Sequence, residues 1–185
     1  MNKSIQDKPQ RHSIRLAGYD YTQPGAYFIT IVTWQRAHLF GEVENGEMKL
    51  NPCGQIAYRE WFKLIKPKAL LALKPEEFVV MPNHIHGIIW KLAGPANPAQ
   101  APSFGKPIAR SLGALVGQYK SSVTSSIRNT RYYDDQPIWQ RNYFEHIIRD
   151  EQELTNIRQY IAENSIRWIE DCYHSTLPSE QICHE

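Results

Sequence analysis

Met81-Pro82-Asn83-His84-Ile85-His86-Gly87-Ile88-Ile89-Trp90 sets two histidines at the head of an apolar run. The preceding Phe78-Val79-Val80 has the bulk and branching of a strand. Pro82-Asn83 favours a turn, so the segment predicts strand, turn, strand, with the histidines opening the second strand. Side chains alternate faces along a strand, which sends His84 and His86 to one side and Ile85 to the other. Two imidazoles placed this way can share one divalent metal or grip phosphate oxygens. Imidazole nitrogen suits Mn2+ or Zn2+ better than the oxygen-preferring Mg2+, and a third ligand has to come from elsewhere. The same spacing also describes two histidines that merely decorate a solvated strand face, the commoner case for an isolated His-x-His.

Around this segment the chain has 185 residues, 42% of them apolar and 22% charged, a composition that excludes a disordered or fibrous protein and fits one soluble domain. A formal charge of +2 is too small to identify a polyanion binder. Its distribution says more: Lys3, Lys8, Arg11 and Arg15 face only Asp7 at the front, whereas Glu170, Asp171, Glu180 and Glu185 close the chain without lysine or arginine. Cys53, Cys172 and Cys183 form no CxxC pair, residues 1–30 lack the pattern of a cleaved signal, and no apolar run is long enough to span a bilayer. A reducing, cytoplasmic location with no membrane association is expected.

Residues 1–24 read as a basic extension, in which Arg11, His12, Arg15 and Tyr19 can contact a phosphate backbone and a base or simply stay solvated. Tyr27-Phe28-Ile29-Thr30-Ile31-Val32-Thr33-Trp34 predicts a central strand. Gly41, Asn45 and Gly46 punctuate a weaker strand or hairpin, and Asn51-Pro52 opens a helix to about Leu64 with Ile56, Trp61, Leu64 and Ile65 turned to the sheet. Residues 93–105 form a Pro/Ala-rich loop inside the domain. Beyond it, Ile108, Leu112, Leu115, Tyr119, Val123 and Ile127 recur at helical spacing. The opposite face carries Arg110, Ala114, Gly117, Ser121, Thr124 and Arg128, with Lys120 to the side, and reads either as a seat for a phosphate backbone or as an ordinary solvated face. Trp139 reads as core and Arg141 as a binding residue.

Asp150 and Glu153 resemble a helix cap, and Leu154, Ile157, Ile161 and Trp168 supply an apolar stripe for a helix from about Glu151 to Trp168. Tyr160 and Asn164, four residues apart, share a direction on that helix. The phenol can attack a phosphate, and the amide oxygen can complete a metal site begun by His84 and His86. The plain alternative is a tyrosine at the core edge and an asparagine at a helix end.

Taken together, Met81–Gly87, Ser111–Ser121, Trp139–Arg149 and Tyr160-Ile161-Ala162-Glu163-Asn164 resemble segments of the REP-associated tyrosine transposases, a branch of the single-tyrosine HUH enzymes, over about residues 11–170. The resemblance implies an α+β, ferredoxin-like sandwich with a central antiparallel sheet and a C-terminal helix bearing the nucleophile. It implies a catalytic domain over 25–170 and a tail over 171–185. His84 and His86 correspond to the metal pair, Asn164 to the third ligand and Tyr160 to the nucleophile, with Mg2+ or Mn2+ as the ion and no nucleotide or organic cofactor. The expected partner is structured single-stranded DNA, a palindromic hairpin with an adjacent recognition tetranucleotide. Arg11 and Arg15 match the leading segment used there, while Arg110, Lys120, Arg128 and Arg141 are the other candidate DNA contacts. The expected activity is cleavage and rejoining of single strands near hairpins through a 5′-phosphotyrosine. The active unit is expected to be a monomer, with a dimer as the other arrangement known among related enzymes, working in a nucleoid-associated setting. A binding protein without catalysis is the alternative. Ser165 follows Asn164 where many relatives have proline, which opens a question about how the helix ends.

Overall fold

The computed structural model describes residues 19–65, 70–93, 111–130, 136–170 and 173. Its centre is β1 (Gly25–Val32), the strand expected from the run of bulky residues. β1 pairs antiparallel with β6 (His84–Lys91) on one side and with β7 (Phe144–Ile148) on the other, and layers packed on both faces of the sheet bury its side chains. β4 (Leu71–Ala72) and β5 (Phe78–Val80) both pair with the far edge of β6, completing a five-stranded antiparallel sheet. The expected hairpin is present: β5 and β6 are joined through Met81-Pro82-Asn83, with Val79 opposite His86 and Val80 opposite Ile85. A separate hairpin of β2 (Gly41–Glu44) and β3 (Glu47–Leu50) turns at Asn45-Gly46, where φ values of 52° and 79° meet the left-handed geometry of the tight turn that matches strand twist.

One face of the sheet is covered by α1 (Pro52–Phe62) and α2 (Leu112–Arg128). Asn51 caps α1 by accepting from the Gly54 amide at 2.9 Å, and Ser111 caps α2 by accepting from Ala114 at 3.2 Å. Ile56 and Trp61 of α1 and Leu64 just beyond it enter the core with Tyr27, Ile29, Ile31, Ile85 and Ile89. Ile65 does not, and is 47% exposed, because α1 ends at Phe62 and the chain turns away before reaching it. From α2 the core receives Leu112, Leu115, Tyr119, Val123 and Ile127. Ile108, Arg110 and most of the Pro/Ala-rich loop lie outside the described residues. Gly87 is needed where it stands: a Cβ there would come within 2.6 Å of the Trp61 ring and 2.9 Å of Phe78, two rings that stack at 4.5 Å beneath the strand.

α3 (Glu151–Glu163) packs on the opposite face, over Ala26, Phe28 and Ile88, through Leu154 and Ile161. Asp150 caps it through the Glu153 amide at 2.8 Å, but the return bond differs from a capping box. Glu153 accepts instead from the Arg149 amide at 2.7 Å and from His146 at 2.6 Å, tying the helix start to β7. Midway along, Arg158 donates to the fully buried Glu77 carboxylate at 2.7 and 2.9 Å. Trp90 donates to the same carboxylate at 2.6 Å, and Lys74 lies 3.4 Å away. α3 stops at Glu163, short of the expected Trp168, and residues 164–167 continue as turns into a short 3-10 segment, Trp168–Glu170.

Candidate active site

His84 and His86 stand side by side on the α3 face of β6, ring centroids 4.4 Å apart, while Ile85 enters the opposite core. They do not decorate a solvated face: their exposures are 0% and 1%. The reason is tertiary. Tyr173 lies 4.7 Å and Trp168 5.9 Å from the His84 ring, and Phe28 stacks on His86 at 5.3 Å.

Each imidazole is oriented through Nδ1. His84 Nδ1 meets Asn83 Oδ1 at 2.9 Å. Asn83 Nδ2 donates to the carbonyls of Arg36 at 3.2 Å and Tyr173 at 2.7 Å, so the amide is oriented with its oxygen to the imidazole. Nδ1 of His84 therefore carries the proton, and Nε2 presents its lone pair. His86 Nδ1 meets Thr30 Oγ1 at 2.8 Å, a residue directly opposite it in the β1–β6 register. Arg36, whose carbonyl helps hold Asn83, follows β1 in a turn where Gln35 and Arg36 have φ of 52° and 55°. Left-handed backbone is unfavourable for both residues, and the strain sits beside the histidine pair.

Tyr160, from the last part of α3, brings its hydroxyl to 3.1 Å from His86 Nε2 while the residue remains 40% exposed. Asn164, one turn later, is 2% exposed, and its Oδ1 is enclosed near the pair, where its side chain bears on the titration of His84. Asn164 keeps helical angles of −58° and −41°, and with serine at 165 the chain continues through the Arg167-to-Glu163 backbone bond at 3.0 Å. The absence of proline thus leaves Asn164 on the helical path. Burial pushes the His84 pKa well below its usual value, and the neighbouring His86 adds to this while Asn164 opposes it. Burial also lowers His86 to about 3. Both rings are neutral at pH 7, the form in which imidazole binds metal.

This donor set, two neutral imidazole nitrogens and an amide oxygen, fits a borderline divalent ion. No cluster of three or more His, Cys, Asp or Glu side chains at metal-binding spacing exists among the described residues, so an ion here relies on the asparagine.

The candidate DNA contacts are less concentrated. Arg128 ends α2 and Arg141 lies in the segment before β7, both exposed. Lys120 is turned inward and donates to the carbonyls of Gln140, Arg141 and Asn142 at 2.9, 3.4 and 2.8 Å, its pKa lowered to about 8 by burial. Trp139 is core, as expected, donating to the Lys120 carbonyl at 3.2 Å. Arg11, Arg15 and Arg110 lie outside the described residues. Sequence reasoning missed Asn83 and Thr30 as orienting groups. Asn83 adjoins His84 in the chain, a usable hint, whereas Thr30 becomes visible only once the strand register is known.

No family model matches the sequence. An uncharacterized protein of Haemophilus influenzae is 40% identical over 169 residues, covering 87% of this chain and 91% of that one. A second protein of that organism, provisionally named a REP-associated tyrosine transposase, is 26% identical over 148 residues, 80% of this chain and 74% of its own. A solved REP-associated tyrosine transposase bound to a REP hairpin has the same fold, with a TM-score of 0.53 at 19% identity over 83% of this chain and 73% of that one. Beside the helix-borne tyrosine and paired histidines stand these similarities: in sequence and in fold the chain is similar to REP-associated tyrosine transposases.

Proposed function

We propose that the protein is a divalent-metal-dependent endonuclease and strand transferase for single-stranded DNA, acting near hairpins through a 5′-phosphotyrosine. The observation that carries this reading is the hydroxyl of the 40% exposed Tyr160, 3.1 Å from His86 Nε2, beside His84 and one turn before Asn164. A tyrosine in a structural role would not need to be 40% exposed with its hydroxyl set against a buried, neutral histidine pair. The main elements run strand, helix, strand, strand, helix, strand (β1, α1, β5, β6, α2, β7), and their sheet order, β5-β6-β1-β7, supports a ferredoxin-like sandwich.

In this mechanism Tyr160 oxygen forms a bond to phosphorus, the bond from phosphorus to the 3′ oxygen breaks, and a 3′-hydroxyl departs. The phenol proton leaves through the exposed side of Tyr160. One phosphoester replaces another, so a 3′-hydroxyl can reverse the attack and join strands without a nucleotide cofactor. His84, His86 and Asn164 would hold Mg2+ or Mn2+, which supplies polarisation of the phosphate and stabilisation of its developing charge. The His86 nitrogen that meets the hydroxyl is the one that would bind the ion, so ion and hydroxyl compete for it. Tyrosine and histidines meet within one chain, which supports a monomeric active unit. Arg128 and Arg141, with Arg11, Arg15 and Arg110, are the proposed DNA contacts, whereas Lys120, whose three donors are taken by backbone carbonyls, is better placed to hold the segment that carries Arg141. The relative solved with a REP hairpin supports a hairpin substrate, and a recognition tetranucleotide beside the palindrome is part of the proposal.

Incubation with hairpin-bearing single-stranded DNA and Mn2+, followed by denaturing electrophoresis, tests this. A protein-linked DNA fragment is expected, lost by at least about a thousandfold in Tyr160→Phe, the scale seen when a nucleophile is removed. Undiminished adduct in that variant refutes the nucleophile assignment, and binding without any adduct favours a non-catalytic binding protein.

A further inference from the structure

Beside Tyr160 a groove of about 310 Å³ opens between α3 and the sheet, at the lower end of ordinary ligand-site volumes. Phe28, Phe144, Ile157 and Tyr160 wall it, and Asn156 and the His146–Glu153 pair stand on its rim. Phe144 opens β7, an edge strand, and is 43% exposed. Edge strands normally blunt such positions with charge, so an open aromatic face there calls for an occupant. The Phe144 ring stands edge-on to Phe28 at 6.4 Å, and Phe28 stands edge-on to Tyr160 at 6.2 Å while stacking on His86. An aromatic row thus runs from the histidine pair, past the tyrosine, to the open ring.

We propose that this groove is a nucleobase subsite: a base of the strand whose phosphate lies at Tyr160 stacks on Phe144. The inference rests on Tyr160 addressing a DNA phosphate, and it adds where the adjoining base goes. Charge argues for a base over the sugar-phosphate backbone. Among the described residues no lysine or arginine lines the groove, and the Glu153 carboxylate, held below its usual pKa chiefly by the Arg149 amide and then by His146, repels phosphate from it. Asn156 accepts from Gln152 through Oδ1 at 3.0 Å, so its amide nitrogen supplies donors for a base edge. Stacking tolerates any base, so the subsite grips more than it discriminates.

The test reads binding in EDTA, where no cleavage intervenes. Hairpin-bearing single-stranded oligonucleotides carry 2-aminopurine at each flank position in turn. One position is expected to be quenched by the wild-type protein and released in Phe144→Ala, whose Kd rises roughly 5- to 100-fold. Phe144→Trp keeps the quenching, and Phe144→Leu, which keeps the bulk and fold without the aromatic face, loses it. An abasic nucleotide at that position weakens binding to wild type by a similar factor and binding to Phe144→Ala hardly at all. Equal affinity of wild type, Phe144→Ala and Phe144→Leu, or an abasic penalty unchanged in these variants, overturns the subsite. Adduct formation that survives in Tyr160→Phe refutes the nucleophile and leaves the stacking result intact, so the two failures are distinguishable. No binding of any oligonucleotide overturns both.

Discussion

Asn83 determines which nitrogen His84 presents. Removing its amide frees His84 Nδ1 from the oxygen 2.9 Å away and lets the ring turn or change tautomer. Asn83→Ala is expected to weaken Mn2+ binding by about 10- to 100-fold, measured by calorimetric titration, with circular dichroism confirming the fold. Unchanged affinity would show that Asn83 serves only the turn. The paired imidazoles also couple folding to acid. Their folded pKa values lie below those of the unfolded chain, so the unfolded state takes up more protons and stability is complete above about pH 6.5. It falls as pH drops below that value, by up to about 1.4 kcal/mol per pH unit for each histidine, and for His86 the loss continues towards pH 3. Denaturant melts of the metal-free protein between pH 7 and 5 should show this slope, and His86→Gln should flatten it; equal slopes contradict the assignment. At this scale the gathering of His84, His86, Tyr160 and Asn164 in one place was legible from spacing and resemblance. The burial and orientation of the histidines were not, because the carbonyls that hold Asn83 against His84 come from positions 47 and 90 residues away.

Among the elements, α3 has the most to lose from a misplaced side chain, since it carries Tyr160. Its anchor is the buried Glu77 carboxylate, with Arg158 only two residues before the tyrosine. Arg158→Met should cost about 2 kcal/mol in urea unfolding, because Trp90 and Lys74 still satisfy part of the carboxylate. The same variant should slow adduct formation more than it weakens DNA binding, and Arg158→Lys should restore part of both losses. No change in stability would mean that Lys74 and Trp90 suffice. Hairpins, caps and the two main helical stripes were readable because each follows from local pattern: Asn51 and Asp150 cap as their chemistry predicts. The ends were harder. α1 and α3 both finish earlier than their apolar residues suggest, since Leu64 and Trp168 reach buried positions from turns outside the helices.

Across the whole molecule, the alternation of β6 divides labour between two faces. Ile85 and Ile89 join the large core under α1 and α2, while His84 and His86 face the other way. The sequence pattern made this division readable along one strand. It did not show that the second face is nearly closed, because that depends on α3, Trp168 and Tyr173 folding back over it. Nor did it reveal the Phe144 groove, whose walls come from two strands and a helix separated along the chain.

The two cores differ in depth. α3 is seated on a small apolar patch of Ala26, Phe28 and Ile88, whereas α1 and α2 share the extensive interior. Undocking α3 therefore exposes far less apolar surface than global unfolding does, and local opening of this kind is the least expensive large motion available to the fold. In such an opening the phenol would move with α3 while the imidazoles stayed rooted in the sheet, giving a bound strand end freedom to travel without melting the scaffold, at the expense of the Arg158–Glu77 bonds.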